Sequence, residues 1–167
     1  MKISVVITAH NDVATLANAI NAVLSQSRKA DEVIVVDDGS TDATSEVAKI
    51  YDEVSLLRQK HMGTFSARNN GVMMAEHAWI AFLDAKHEWN QDQLQRQLAF
   101  HKDNPQLKVS VYDGQKCLFL EEALQQGRIN NSSIMMEKKL YETLGGFDEA
   151  FEISEDDEFW MRVLEAL

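Results

Sequence analysis

Apolar residues in this chain arrive in short unbroken runs, separated by stretches of helical periodicity. Ile3 to Ile7, Glu32 to Val36 and Trp79 to Leu83 each read as a strand buried on both faces, as in a parallel sheet. Between the first two, Val13, Leu16, Ala17, Ile20, Val23 and Leu24 recur at helical spacing and form one apolar stripe. Asn11 or Asp12 is placed to cap that helix. A second helix carrying Val47 and Ile50 is expected after Gly39, with Ser40, Thr41 or Asp42 as its cap. Val54 to Leu57 reads as a short strand and about Thr64 to Glu76 as a helix. This alternation predicts an α/β fold with a mostly parallel sheet and crossover helices.

Beyond Leu83 the pattern is coarser. Asn90 to Asp103 predicts a polar helix with Leu94, Leu98 and His101 on one side. Val109 to Tyr112, Cys117 to Leu120 and Ser132 to Met136 read as short strands. Lys138 to Leu144 reads as a short helix stopped by Gly145-Gly146. A last helix is expected around Glu155 to Leu167, with Phe159, Val163 and Leu164 on its apolar face.

A chain of 167 residues is long enough for one domain, 1–167, with a substantial core. A net charge of −11 argues against a general nucleic-acid binder, which needs a basic surface to displace counterions. It leaves room for a phosphate-bearing small ligand, because local geometry can overrule net charge. The single cysteine, Cys117, cannot form an internal disulfide, so a reducing cytoplasm is the expected compartment. The N-terminal run is too short and strand-like for a signal peptide, and no apolar run reaches membrane-spanning length. Membrane association is therefore expected to be peripheral at most.

The candidate chemistry gathers where the apolar runs stop. Trp79 to Leu83 runs straight into Asp84, followed by Lys86, His87 and Glu88. A core strand that ends on a carboxylate presents it at the edge where open α/β sheets bind ligands. Thr8 and Asp38 stand at the ends of the first two strands, where short polar groups can meet a base. Arg68 lies on a predicted helix, and a guanidinium suits phosphate oxygens or the face of a base. Its neighbours Asn69-Asn70-Gly71 are poor helix formers, so something other than propensity is expected to hold them.

Five blocks in order carry a resemblance: Val5-Val6-Ile7-Thr8-Ala9-His10-Asn11, Val35-Val36-Asp37-Asp38-Gly39-Ser40-Thr41-Asp42, Gly63 through Ala67-Arg68-Asn69-Asn70-Gly71, Ala81-Phe82-Leu83-Asp84-Ala85, and Leu144-Gly145-Gly146-Phe147-Asp148-Glu149 with Ser154 to Arg162. Together they resemble the family 2 inverting glycosyltransferases, across nearly the whole chain. The resemblance implies the GT-A fold, a Rossmann-like three-layer sandwich. It also implies a nucleotide-diphosphate sugar as donor, and a role such as cell-envelope polysaccharide biosynthesis. A glycan, lipid-linked sugar or protein would be the acceptor.

The resemblance assigns Asp38 to the base edge, with Thr8 and Asn11 lining the same pocket; the bland alternatives are a turn-fixing Asp38 and a helix-capping Asn11. Arg68 becomes a donor-binding residue, against the alternative of a solvated surface arginine. Asp156 becomes the base that takes a proton from the acceptor hydroxyl. The acids from Glu155 to Glu158 also have a simpler use, since carboxylates favour the positive end of a helix. Trp160 and Arg162 would hold this helix near the donor phosphates, with Glu155 beside them, and Gly145 to Asp148 would shape the acceptor side.

Two departures stand out. In the family the strand-end motif is aspartate, any residue, aspartate; its first carboxylate serves the donor ribose and the second ligates Mg²⁺ or Mn²⁺. Here Lys86 takes the second position. A unit charge ~4 Å away is worth roughly 4 kcal/mol at an effective dielectric near 20, and an ammonium turns that contact from attractive to repulsive. Three arrangements stay open: Lys86 meets the diphosphate itself, Asp84 and His87 or Glu88 hold a shifted ion, or the fold survives as a catalytically silent binding or scaffolding module. The second departure is a short Val109 to Ser133 region, which leaves the acceptor side open or completed by a partner subunit or second copy, with Met135-Met136 and Phe147 to Phe151 available for that contact. A nucleotidyltransferase is a remote rival, as no glycine- and lysine-rich phosphate loop follows Ile7.

Overall fold

The computed structural model describes residues 1–150 and 156–167, with the side chains of 156 and 157 left out of the description. Four strands form the parallel half of one sheet: β1 (Ile3–Ala9), β2 (Glu32–Asp38), β3 (Val54–Gln59) and β4 (Trp79–Asp84). Three more complete it: β5 (Val109–Tyr112), β6 (Cys117–Leu118) and β7 (Ile134–Glu137). Their order is β3-β2-β1-β4-β7-β5-β6. Strand β7 is antiparallel to both β4 and β5, and β6 is antiparallel to β5, so β5 shares the direction of the first four. The expected mostly parallel sheet is present.

Helices cover both faces: α1 (Leu16–Leu24), α2 (Thr44–Ala48), α3 (Thr64–Met74), α4 (Gln93–Asp103), α5 (Leu120–Gln125), α6 (Lys138–Thr143) and α7 (Asp156–Glu165), with a 3₁₀ turn at Asn131–Ser133. Alternation along the strands divides the core. Val6, Ile80 and Phe82 pack with residues of α3, α5, α6 and α7 on one face. Ile3, Val5, Ile7, Ala81 and Leu83 pack with α1, α2 and α4 on the other. All seven residues of β1 are buried. Full burial of one such side chain contributes about 1.5–3 kcal/mol, which favours an interior place for this strand, between β2 and β4. The result is the three-layer sandwich that the resemblance implies.

Several boundaries differ from expectation. Helix α1 starts at Leu16 with Thr15 as its N-cap residue, so Val13 is outside it and exposed, and neither Asn11 nor Asp12 caps it with a side chain. The extra residues before α1 form a turn in which Thr15 and Leu16 N–H both donate to the Asp12 carbonyl. Ile50 lies beyond α2 and is exposed, because that helix ends at Ala48. Leu120 opens α5 rather than continuing β6, and α5 itself had no periodicity long enough to announce it. Ser132 and Ser133 belong to the 3₁₀ turn ahead of β7.

The strand order reverses at β1: the chain leaves it for β2 and β3 on one side, then returns to β4 on the other. Such a switch point opens a crevice at the carboxyl ends of the strands. Register puts Thr8 beside Asp84 there, and Asp38 beside Gln59.

Candidate functional site

A cleft of about 400 Å³ lies at this crevice, lined by Thr8, His10, Asp12, Asp38, His61, Gly63, Arg68, Asp84, Lys86 and His87 among others. Five sequence-predicted site residues, Thr8, Asp38, Arg68, Asp84 and Lys86, therefore meet in one place, with His87 at the same wall.

Two larger-scale features hold the floor. Thr8 Oγ1 donates to Asp84 Oδ1 at 2.9 Å, a bond that the β1–β4 register brings about. Arg68, buried on α3, donates through Nη2 to Asp84 Oδ1 at 3.1 Å and Oδ2 at 3.3 Å. Its guanidinium carbon also lies 5.3 Å from the Phe147 ring centre and 5.9 Å from that of Phe65. These contacts hold the charge at a set place between an aromatic wall and a carboxylate.

Asn69-Asn70-Gly71 follow on the same helix, and their tertiary uses explain their poor propensity. Asn69 Nδ2 donates to the Phe147 carbonyl at 2.9 Å while its Oδ1 accepts from Phe147 N–H at 3.0 Å and from the Tyr141 hydroxyl. Asn70 donates to Gln59 Oε1 at 2.7 Å. Gly71 sits against β1 so closely that a Cβ would lie 2.3 Å from Val6 Cγ1. Helix α3 therefore approaches the sheet at a distance that only glycine allows, and this draws Arg68 into the crevice.

Asp38 is buried and fully engaged. Its Oδ1 accepts from Gln59 Nε2 and Met62 N–H, both at 2.8 Å. Its Oδ2 accepts from Gly63 N–H at 2.9 Å and lies 2.9 Å from His61 Nδ1. The carboxylate thus ties the β3–α3 loop to the end of β2. The preceding Asp37 is deeper still: burial works to raise its pKa, but hydrogen bonds from Ser40 and Ser45 and the charge of Arg58 outweigh it and hold the carboxyl below its usual range. Asn11 lies outside the cleft lining, with a φ of 54°. Its Oδ1 accepts from Thr41 N–H at 2.8 Å and Asp42 N–H at 3.3 Å, pinning the β2–α2 turn.

Residues with weak signals in the sequence complete the cleft. His10 and His61, 51 positions apart by number, stack with ring centres 4.0 Å apart and planes 20° apart. Asp12 accepts from His10 N–H at 2.8 Å and faces Lys86 Nζ at 3.8 Å. His10 lies inside the first of the five blocks, Asp12 directly after it and His61 two positions before the third, which is the one hint present in the chain.

A divalent cation at the strand-end motif needs open carboxylate oxygens. Both Asp84 oxygens face Arg68 Nη2, and the next candidate position carries the Lys86 ammonium. Asp84 and His87 approach within 3.8 Å, but no third such group joins them among the described residues. The residues at this motif do not fit an ion. One group of three, His10, Asp38 and His61, brings ligand atoms within 4.8 Å of one another among the described residues. There the carboxylate already accepts from backbone and side-chain donors, and the stacked rings set their edges side by side.

The C-terminal predictions sort differently. Trp160 is buried and donates to Asn131 Oδ1 at 3.1 Å, while Arg162 donates to the Leu144 carbonyl at 2.7 Å and the Gly146 carbonyl at 3.0 Å. Both fasten α7 to the body of the fold, and neither lines the cleft. Gly145 and Gly146 adopt positive φ and close α6, as expected of a C-cap pair. Phe147 then turns into the core, with ring centres 4.9 Å from Phe65 and 4.5 Å from Phe159. Met135 and Met136 are core residues of β7, so neither is an exposed contact surface. Asp156 opens α7 with its side chain outside the described residues, as are Glu155, Phe151 and the rest of 151–155. No helix among the described residues is long and apolar enough to cross a membrane.

Comparison with known proteins places this geometry. The family described as Glycosyl transferase family 2 matches residues 4–153. An uncharacterized glycosyltransferase of Rickettsia felis is 37% identical over 106 residues, 62% of this chain and 18% of the relative. The chain thus spans less than a fifth of that protein. The solved structure of S. aureus TarS 1-349 superposes with a TM-score of 0.82 at 20% identity, covering 98% of this chain and 55% of that one. TarS 1-349 in complex with UDP-GlcNAc gives a TM-score of 0.74 at 19% identity, over 89% of this chain and 49% of that one. Mannosyltransferase PcManGT from Pyrobaculum calidifontis, in complex with GDP-Man and Mn²⁺, gives 0.73 at 19% identity, over 89% and 48%.

Proposed function

The chain belongs to glycosyl transferase family 2 and has the GT-A fold, and from that premise we propose that its cleft binds a nucleotide-diphosphate sugar for transfer to an acceptor hydroxyl. The observation that carries the proposal is the convergence of Thr8, Asp38, Arg68 and Asp84 at the carboxyl ends of β1, β2 and β4, around a cleft of about 400 Å³. Two proteins of similar fold are, by the names of their structures, complexes with nucleotide sugars: TarS with UDP-GlcNAc and PcManGT with GDP-Man. Residues 1–167 then act as one catalytic domain.

In the reaction the acceptor oxygen attacks the anomeric carbon, and the bond from that carbon to the diphosphate breaks as the new one forms. One displacement inverts the configuration, the nucleoside diphosphate leaves with the bonding pair, and the hydroxyl proton passes to the Asp156 carboxylate. Arg68 sits where its charge can face the donor, held by Asp84. Thr8, through Asp84, positions that pair. The Asp38 carboxylate shapes the base end by fixing Met62 and Gly63 N–H. An envelope glycan or lipid-linked sugar is the acceptor class, met on the cytoplasmic side. The rival reading, a silent binding module, draws no support from the relatives' names.

Calorimetric titration with UDP and GDP, followed by release of nucleoside diphosphate from a panel of UDP- and GDP-sugars, tests this. We expect one nucleotide to bind, and Asp156→Asn to keep that binding while lowering release by about 10²–10⁴-fold. No heat with either nucleotide, with or without Mn²⁺, would defeat the assignment.

A further inference from the structure

We propose that this chain holds the donor diphosphate with the Lys86 ammonium in place of a divalent cation. The inference rests on the donor-site reading above and concerns what replaces the ion in that same cleft.

Three observations carry it. Lys86 lines the cleft with its side chain 73% exposed, so the ammonium is reachable, while its backbone is fixed. On either side of it, Ala85 N–H donates to the Thr8 carbonyl and His87 N–H to the Asp84 carbonyl, both at 2.9 Å. The charge therefore swings on a flexible stem from a rigid base at the end of β4. Second, the partner it has is a weak one: Asp12 Oδ1 lies 3.8 Å away, beyond hydrogen-bond distance, and the other Asp12 oxygen accepts from His10 N–H. A diphosphate entering the cleft can take the ammonium from Asp12 without leaving that carboxylate bare.

Third, two carboxylates that would otherwise repel a diphosphate, Asp84 and Asp38, are each spoken for. Asp84 faces Arg68 and accepts from Thr8; Asp38 accepts from Gln59, Met62 and Gly63. Arg68, held at Asp84, and Lys86, on its flexible stem, are then two cations lining one cleft. Phosphate oxygens pair well with such donors, lysine acting as a point charge. A divalent ion on Asp84 would instead approach both cations.

Calorimetry with the nucleoside diphosphates alone provides the test, so no turnover is needed. In wild type, binding of the preferred nucleotide is expected to change less than about twofold between EDTA and excess Mn²⁺. Lys86→Ala is expected to weaken it by about 10-fold or more, without loss of the folded-state circular dichroism because the side chain is exposed. Lys86→Asp, which puts a carboxylate at that position, is expected to weaken binding in EDTA and to recover it with Mn²⁺. Wild-type binding that appears only with Mn²⁺ overturns this inference and leaves the donor site standing. Binding indifferent to Lys86→Ala overturns it as well. Absence of binding under every condition removes the donor site and this inference together.

Discussion

Arg68 Nη2 lies within 3.3 Å of both carboxylate oxygens of Asp84, joining α3 to the last residue of β4. The arginine is buried and the carboxylate is 28% exposed, so solvent screens one side of the pair only. A double-mutant cycle of Arg68→Met and Asp84→Ala, read by urea denaturation, is expected to give a coupling of about 1–2 kcal/mol. Additive effects would mean the two groups act independently.

Asn69 links α3 to the turn that carries Phe147 by accepting and donating at that residue's backbone. Asn69→Leu leaves Phe147 N–H, its carbonyl and the Tyr141 hydroxyl short of a partner. An expected loss of about 2–4 kcal/mol follows from unsatisfied buried groups. Amide exchange at Phe147 should quicken in the variant; unchanged protection would contradict the link.

Gly71 is set by contact rather than by conformation. A methyl there meets Val6 Cγ1, so Gly71→Ala is expected to cost about 1–3 kcal/mol. The informative comparison is the same change made in a Val6→Ala background, where the space is open and the increment should shrink. An equal cost in both backgrounds would point to something other than this overlap.

His101 provides a pH signature. Burial lowers its pKa from 6.5 to about 4, against a smaller opposing pull from the Leu107 carbonyl. The ring packs at 4.4 Å from Trp79, and its Nε2 lies 3.0 Å from Ser110 Oγ. Below pH 6.5 the unfolded histidine takes up a proton that the folded one refuses until about 4, so stability falls as pH drops through that window. The contribution lost is about 3 kcal/mol. His101→Phe should flatten this limb of the stability–pH curve between 6.5 and 4; an identical slope in the variant would show that other groups set it.

The apolar runs were enough to locate β1, β2 and β4 and their parallel character, because a strand buried on both faces needs nothing but continuous hydrophobicity. The carboxylates that end β2 and β4 were legible for the same reason: a charge that ends such a run must stand at the sheet's edge. Short elements escaped, since α5 has six residues and the 3₁₀ turn at Asn131 three, too few for a period to show. Helix ends were misplaced where capping residues had stronger partners elsewhere, as when Asn11 turned to the Thr41 and Asp42 backbone.

By itself, then, the order of residues determined the alternation of strands and helices, the family, and the presence of Lys86 where an acid is expected. Only the tertiary structure decided what those residues face. The β1–β4 register made Thr8 the neighbour of Asp84, and the close seating of Gly71 on Val6 brought Arg68 into reach of both. The loop after β3 returned to Asp38 and stacked His61 on His10. Such contacts join positions tens of residues apart, and their distances follow from packing in three dimensions, which no local pattern of side chains records.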